Sequence, residues 1–185
     1  MPLLRRHWYT AIVAVATALG PAVAPFAQTI LPEAQIKAAF VLNFARYVEW
    51  PDRAFASRDA PLLICVVGRD TFGTALGALE NRQVHGRPVN VRSGLTVEES
   101  RGCHVVFVSD SEARRLTSLL RSLAGRPILT VSDAEGFIDS GGAIGIVPGD
   151  DRLQFEINRS VLEQAHLKAS SQLLRLARTV LNPGN

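Results

Sequence analysis

Two solid apolar runs limit what this chain can fold into: Leu62-Leu63-Ile64-Cys65-Val66-Val67 and Val105-Val106-Phe107-Val108. A strand with one face in water alternates apolar and polar residues. These two do not alternate. Each therefore reads as a strand buried on both faces, the pattern of a parallel sheet covered by helices above and below. The intervening segments fit. Thr71 to Leu79 reads as a helix with Asp70 or Thr71 as N-cap, Arg87 to Val91 as a weaker strand, and Val97 to Ser100 as a short helix. Ser109-Asp110-Ser111-Glu112 opens a helix whose apolar face is Leu116, Leu119, Leu120 and Leu123. Pro127 to Val131 is the next strand. Gly141 to Val147 and Leu153 to Ile157 are two strands joined by Pro148-Gly149-Asp150-Asp151, which is hairpin chemistry. Ser160 to Glu163 reads as a capping box. A last helix is expected from Ser170 or Ser171, with Leu173, Leu176, Ala177, Val180 and Leu181 on one stripe, ending at Asn182-Pro183-Gly184. The expected fold is α/β: a single domain with a mostly parallel mixed sheet, helices on both faces and a C-terminal antiparallel hairpin.

One helix precedes the first strand. Gln35 to Pro51 places Ile36, Phe40, Val41, Phe44, Tyr47 and Val48 on one side of a helical wheel, with Asn43 at the edge. Leu42, Arg46 and Glu49 fall opposite. Pro51 disfavours helix at Trp50, so the stop is expected there. An amide at the edge of an apolar face needs partners, so Asn43 is expected to be hydrogen-bonded.

Residues 1–27 read as a cleaved export signal: a basic start at Arg5 and Arg6, an apolar run from Trp8 to Leu19, then a Gly/Pro/Ala region ending near Ala27. Gly20, Pro21 and Pro25 interrupt the run before it reaches the ~20 residues a membrane-spanning helix needs. The remaining 28–185 form the domain. Arg5 and Arg6 are the only Lys or Arg residues of that leader, and it has no acid. Its removal takes the net charge from +3 to +1. The mature domain is nearly neutral, so its charge gives no reason to expect a nucleic-acid partner. The two cysteines, Cys65 and Cys103, are either a disulfide, as an even count in an exported chain suggests, or two buried thiols. If their strands are parallel neighbours, the Cα separation is in danger of exceeding the ~7 Å limit for a bridge.

Catalytic chemistry finds little support. Gly68-Arg69-Asp70-Thr71-Phe72-Gly73 follows a strand and opens a helix, but lacks both the Gly-Lys-Ser/Thr ending and the GxGxxG spacing of a phosphate loop. Asp110 ends a central strand, where helix capping explains it as well as a functional role does. His85, His104 and His166 lie in separate segments without a metal-ligand spacing, and neither metal nor cofactor is expected. No GxSxG is present. The expectation is a binding or regulatory protein and no enzyme.

The chain resembles the YfiR-like family. The residues that carry the resemblance are Lys37-Ala38-Ala39-Phe40, Asn43-Phe44-Ala45-Arg46-Tyr47-Val48-Glu49-Trp50-Pro51, Ile64-Cys65-Val66-Val67-Gly68, Val105 to Ser109, Phe155-Glu156-Ile157-Asn158 and Leu167 to Ala177. The resemblance implies a periplasmic protein that binds the periplasmic sensor domain of an inner-membrane diguanylate cyclase. By holding the cyclase inactive, such a protein lowers cyclic-di-GMP signalling. The resemblance also implies self-association, of which a homodimer is one form. Cys65 and Cys103 match the positions of one family cysteine pair. A second pair, around the C-terminal hairpin of better-known members, has no counterpart between Gly141 and Leu153, which puts redox control through that pair in question.

Two partner surfaces are expected. One is the hairpin and the segment after it, with Phe155, Glu156 and Asn158. The other is Glu49, Trp50 and Arg53, where the opening helix leaves the core. The alternative is a small-molecule-binding module. Its ligand would sit beyond the carboxyl ends of the strands, at Gly68, Arg69, Ser109, Asp110 and Ser132.

Overall fold

A computed structural model describes residues 32–182. The expected export signal at 1–27 and the expected stop at Pro183-Gly184 lie outside the described residues. The opening helix α1 (Glu33–Tyr47) is followed by β1 (Val48–Glu49), β2 (Leu62–Val67), α2 (Thr74–Gly77), β3 (Gln83–Val84), β4 (Arg87–Leu95) and β5 (Val105–Val108). Then come α3 (Leu116–Leu123), β6 (Leu129–Ser132), β7 (Ile144–Pro148), β8 (Leu153–Asn158), α4 (Arg159–Gln164), β9 (Lys168–Ala169), α5 (Ser171–Leu176) and β10 (Thr179–Leu181).

Eight strands form one sheet in the order β10-β8-β7-β6-β5-β2-β4-β3. The run from β4 through β7 is parallel, and β7 and β8 form the antiparallel hairpin. The expected α/β class is the one found. The two apolar runs are central neighbours, with Ile64 opposite Val105 and Val67 opposite Val108. Their pleat divides the core in two. Ile64, Val66, Val105 and Phe107 point to the side of α1, α2, α4 and α5. Cys65, Val67, Val106 and Val108 point to the side of α3. Every residue of β5 is buried, and so is every residue of β2 except the half-buried Leu63, which is why neither run carries a polar position.

Several element boundaries differ from the sequence reading: α2 is Thr74–Gly77 and not Thr71 to Leu79, and β4 extends to Leu95. Helix α1 stops at Tyr47 because Val48 and Glu49 pair antiparallel with Ala169 and Lys168 as a separate two-stranded sheet. Helix α5 ends at Leu176, which is 64% exposed. Thr179–Leu181 then runs as a parallel edge strand beside Glu156–Asn158, so the expected helical stripe does not continue. The cap of α4 is Asn158, whose Oδ1 accepts from the Val161 N–H, and not Ser160.

The buried face of α1 is also rotated from the wheel's arc. Ala38, Val41, Leu42, Phe44 and Ala45 are buried, while Ile36, Phe40 and Tyr47 lie at a half-buried margin. Leu42, expected outside, joins the core with Leu76 and Leu79 of the α2 region. Asn43 is exposed, and its side chain accepts a 3.5 Å hydrogen bond from Arg46. The hydrogen bond expected for Asn43 is present, but it comes from the exposed face of its own helix.

Cys65 and Cys103 form a disulfide across a Cα separation of 6.1 Å. The turn Glu99–Gly102 delivers Cys103 to the start of β5 and brings it within bridging range. A cross-link over 38 residues removes loop freedom from the unfolded chain, worth about 4 kcal/mol in the chain-entropy account. The double substitution C65A/C103A should therefore lower the urea unfolding free energy by roughly 3–5 kcal/mol. A loss below ~1 kcal/mol would show that the bridge does not constrain the fold.

Candidate interaction surface

The surface is built around the end of α1. Helix carbonyls left open at a C-terminus need donors. Here they come from a distant hairpin: the His85 Nε2 lies 2.9 Å from the Val48 carbonyl and 3.2 Å from that of Ala45. His85 and Gly86 form the two-residue turn between β3 and β4, with φ of 52° and 76°. Such a turn needs positive φ at both positions, which is easy for glycine and costly for histidine. The turn thus holds His85 in a strained conformation that aims its ring at α1.

Beyond Tyr47 the chain crosses Glu49 and Trp50 and enters a short 3-10 turn, Asp52–Ala54. A three-layer stack anchors the loop that follows. The Arg87 guanidinium sits 3.7 Å over the Phe55 ring, and Phe55 stacks on His104 at 4.4 Å. Arg87 also donates to the carbonyls of Ser57 and Ala60, at 2.9 and 2.8 Å. His104 accepts from the Leu63 N–H through Nδ1 and donates through Nε2 to the Ala54 carbonyl, at 3.0 Å each. Both contacts require the neutral ring with its proton on Nε2. Burial pushes the His104 pKa below its ordinary 6.5; the Ala54 hydrogen bond opposes this, and the Arg87 charge adds to it.

Glu49, Trp50, Asp52, Phe55, His85 and Arg87 line a cleft of about 340 Å³. Glu49 and Arg53 are exposed and make no ion pair among the described residues. Trp50 is half-buried, and its indole N–H has no hydrogen-bond partner among the described residues.

The other expected partner residues serve the fold. Phe155 is 7% exposed and packs against Phe44 and Phe40 of α1, with ring centroids 5.0 and 6.0 Å apart. Glu156 accepts two hydrogen bonds from Arg178 and one from Thr179, which fastens β10 to β8. Asn158 caps α4 and donates to the Ile138 carbonyl. The two surfaces expected from the sequence nevertheless meet at α1. Phe155 packs on its inner face, and Ser170 donates to the Tyr47 carbonyl beside the β1–β9 pair.

At the carboxyl ends of the strands, the expected ligand residues bond to their neighbours. The Ser132 hydroxyl donates to the Val108 carbonyl and accepts from the Ala134 N–H. Ser109 donates to Asp110 and accepts from the Ser111 N–H. Gly68 has φ of +87°, and a Cβ there would lie 2.6 Å from the Ser111 hydroxyl, so glycine is required for close approach. Gly68 and Arg69 border a cleft of about 510 Å³ with Leu95, Thr96, Ser111 and Glu112, on the β4 side; Ser109, Asp110 and Ser132 do not line it. The first turns of α1 cross the same end of the sheet. Lys37 bridges Asp133 at 2.6 Å and Glu33 at 2.5 Å. Burial pulls the Lys37 pKa down, but the hydrogen bonds to Asp133 and Glu33 together hold it above the usual lysine value.

The His104 stack, the His85 cap and the Lys37–Asp133 pair were absent from the sequence reading. Only the cap had a local signal, since His85-Gly86 fits a two-residue hairpin turn. The other two join residues 32 or more positions apart, with no spacing to betray them.

Against known proteins, residues 34–178 match the YfiR/HmsC-like family, and the chain belongs to that family. Two solved structures share the fold at low identity. One is a conserved domain protein from Vibrio cholerae O1 biovar eltor, with TM-score 0.55 and 9% identity, covering 80% of this chain. The other is an ABC domain from Streptococcus pneumoniae, solved in complex with L-Trp, with TM-score 0.52 and 10% identity, also covering 80%. This chain spans 60% of the length of each.

The neutral His104 gives a pH signature. The unfolded chain takes up this proton at about pH 6.5 and the folded chain only at lower pH, so the stability it contributes is complete above 6.5 and declines as pH falls. Urea unfolding at pH 7.5, 6.5 and 5.5 should show little change over the first interval and a clear loss over the second. The loss should shrink in His104→Gln. An equal loss in that variant would contradict the assignment.

Proposed function

We propose that this chain is a periplasmic regulatory binding protein without catalytic activity. It holds an inner-membrane diguanylate cyclase inactive by binding its periplasmic sensor domain, and so lowers cyclic-di-GMP output. Membership of the YfiR/HmsC-like family over nearly the whole described chain carries this reading. Among the described residues no helix is long and apolar enough to cross a membrane, so contact with a membrane protein would be made through a docking face. Such a binder needs no chemistry. A protein that prefers the inactive conformation of its partner shifts the population toward it by the difference in affinity.

The contact surface is Glu49, Trp50 and Arg53. Two of these are exposed charges without side-chain partners among the described residues, and they flank a half-buried aromatic with an unused donor; aromatics and arginine are enriched at interfaces, whose rims are polar. Phe155, Glu156 and Asn158 support that surface from behind.

The residues can be sorted by pairing stability with repression. The charge reversals Glu49→Arg and Arg53→Glu should change folding stability by no more than about 0.5 kcal/mol and yet relieve repression, read as raised cyclic-di-GMP. Phe155→Ala should cost about 3–5 kcal/mol and Asn158→Ala about 1 kcal/mol, with repression lost only in proportion to unfolding. Capture of membrane partners on the tagged mature domain decides the reading itself. Recovery of no cyclase, together with unchanged cyclic-di-GMP on deletion of the gene, would overturn it.

A further inference from the structure

A separate cleft of about 270 Å³ lies between the C-terminal half of α3, the start of β6 and the side of α4 that carries Val161 and Gln164. Its floor is apolar: Leu120, Leu123, Ile128 and Ala165 line it, and all four are buried. Its rim carries Arg121 and Arg126, both exposed. Neither guanidinium makes an ion pair among the described residues, whereas Arg115, Arg159 and Arg178 are each neutralised by a nearby glutamate. Thr130, only 5% exposed, also lines the cleft. Its hydroxyl accepts from the Ala143 N–H at 3.0 Å, and the hydroxyl's own proton has no acceptor among the described hydrogen bonds. A buried donor of this kind is usually satisfied, so an unused one facing a cleft points to an acceptor supplied from outside.

We propose that this cleft binds a small carboxylate with a short apolar body. The floor would take the hydrocarbon, the two guanidinium forks would take the carboxylate, and Thr130 would donate to a polar atom of the ligand. Planar guanidinium groups match a carboxylate in a bidentate geometry that a neutral ligand cannot use. The volume lies just below the usual range of ligand pockets and suits a compact molecule. The cleft shares no residue with the surface at Glu49, Trp50 and Arg53, so ligand binding here stands or falls independently of cyclase repression.

The test uses the purified mature chain with three probes: hexanoate, 1-hexanol and acetate. Hexanoate should raise the melting temperature saturably and shift amide resonances of residues 117–130 and 161–165. Hexanol, without the charge, and acetate, without the hydrocarbon, should each bind about tenfold more weakly. Both arginines lie at exposed positions, so R121Q/R126Q should fold normally and bind hexanoate no better than hexanol. Equal binding of hexanoate and hexanol to the wild type would overturn the proposal. So would retention of the hexanoate preference in the double variant.

Discussion

The docking of α1 on the sheet is the contact on which the rest depends. The helix is made before any strand, so only long-range packing can hold it. Its inner residues Val41, Phe44 and Ala45 are almost fully buried, and Phe44 meets Phe155 of the hairpin edge-to-face. Truncating an aromatic at such a point costs about 3–5 kcal/mol, a large share of a domain's net stability. The helix is then fixed at both ends: Lys37 reaches Asp133 beyond β6, and His85 reaches the last carbonyls. With the helix pinned, the chain leaves it in one direction, and Glu49, Trp50 and Arg53 acquire a defined placement.

The same packing explains why the aromatic residues of the recognisable opening segment serve the fold. Phe40, Phe44 and Val48 specify the fold from within, and so does Phe155 in the hairpin. What reaches solvent is the exit of α1, where a loop is held by Phe55 between Arg87 and His104. The loop is attached to the disulfide region through His104, the residue after Cys103. Structure at the surface and integrity of the core are therefore coupled through one imidazole.

The sheet was legible because its central strands are apolar at every position, and the hairpin because Pro148 to Asp151 leaves little choice. Where the reading failed, a contact between distant residues decided the outcome. Val48 and Glu49 became a strand because Lys168 and Ala169 lie opposite them. Thr179–Leu181 became a strand because β8 offered an open edge, although Leu176, Val180 and Leu181 satisfy a helical stripe. Leu42 is buried because the α2 region covers a side of α1 that a wheel centred on the aromatics assigns to solvent. For the candidate site, the sequence named Glu49, Trp50 and Arg53, but could not separate them from Phe155 and Asn158. That distinction depends on burial and hydrogen bonding, which no spacing encodes.

The central claim is that the inner face of α1 builds the fold while its exit meets the partner. Amide hydrogen exchange of the mature chain, alone and bound to its captured membrane partner, tests this directly. The account predicts added protection in residues 48–57, with the α1 core and β5 equally slow in both states. Added protection confined to the α3 face or the β4 edge, with 48–57 unchanged, would contradict it.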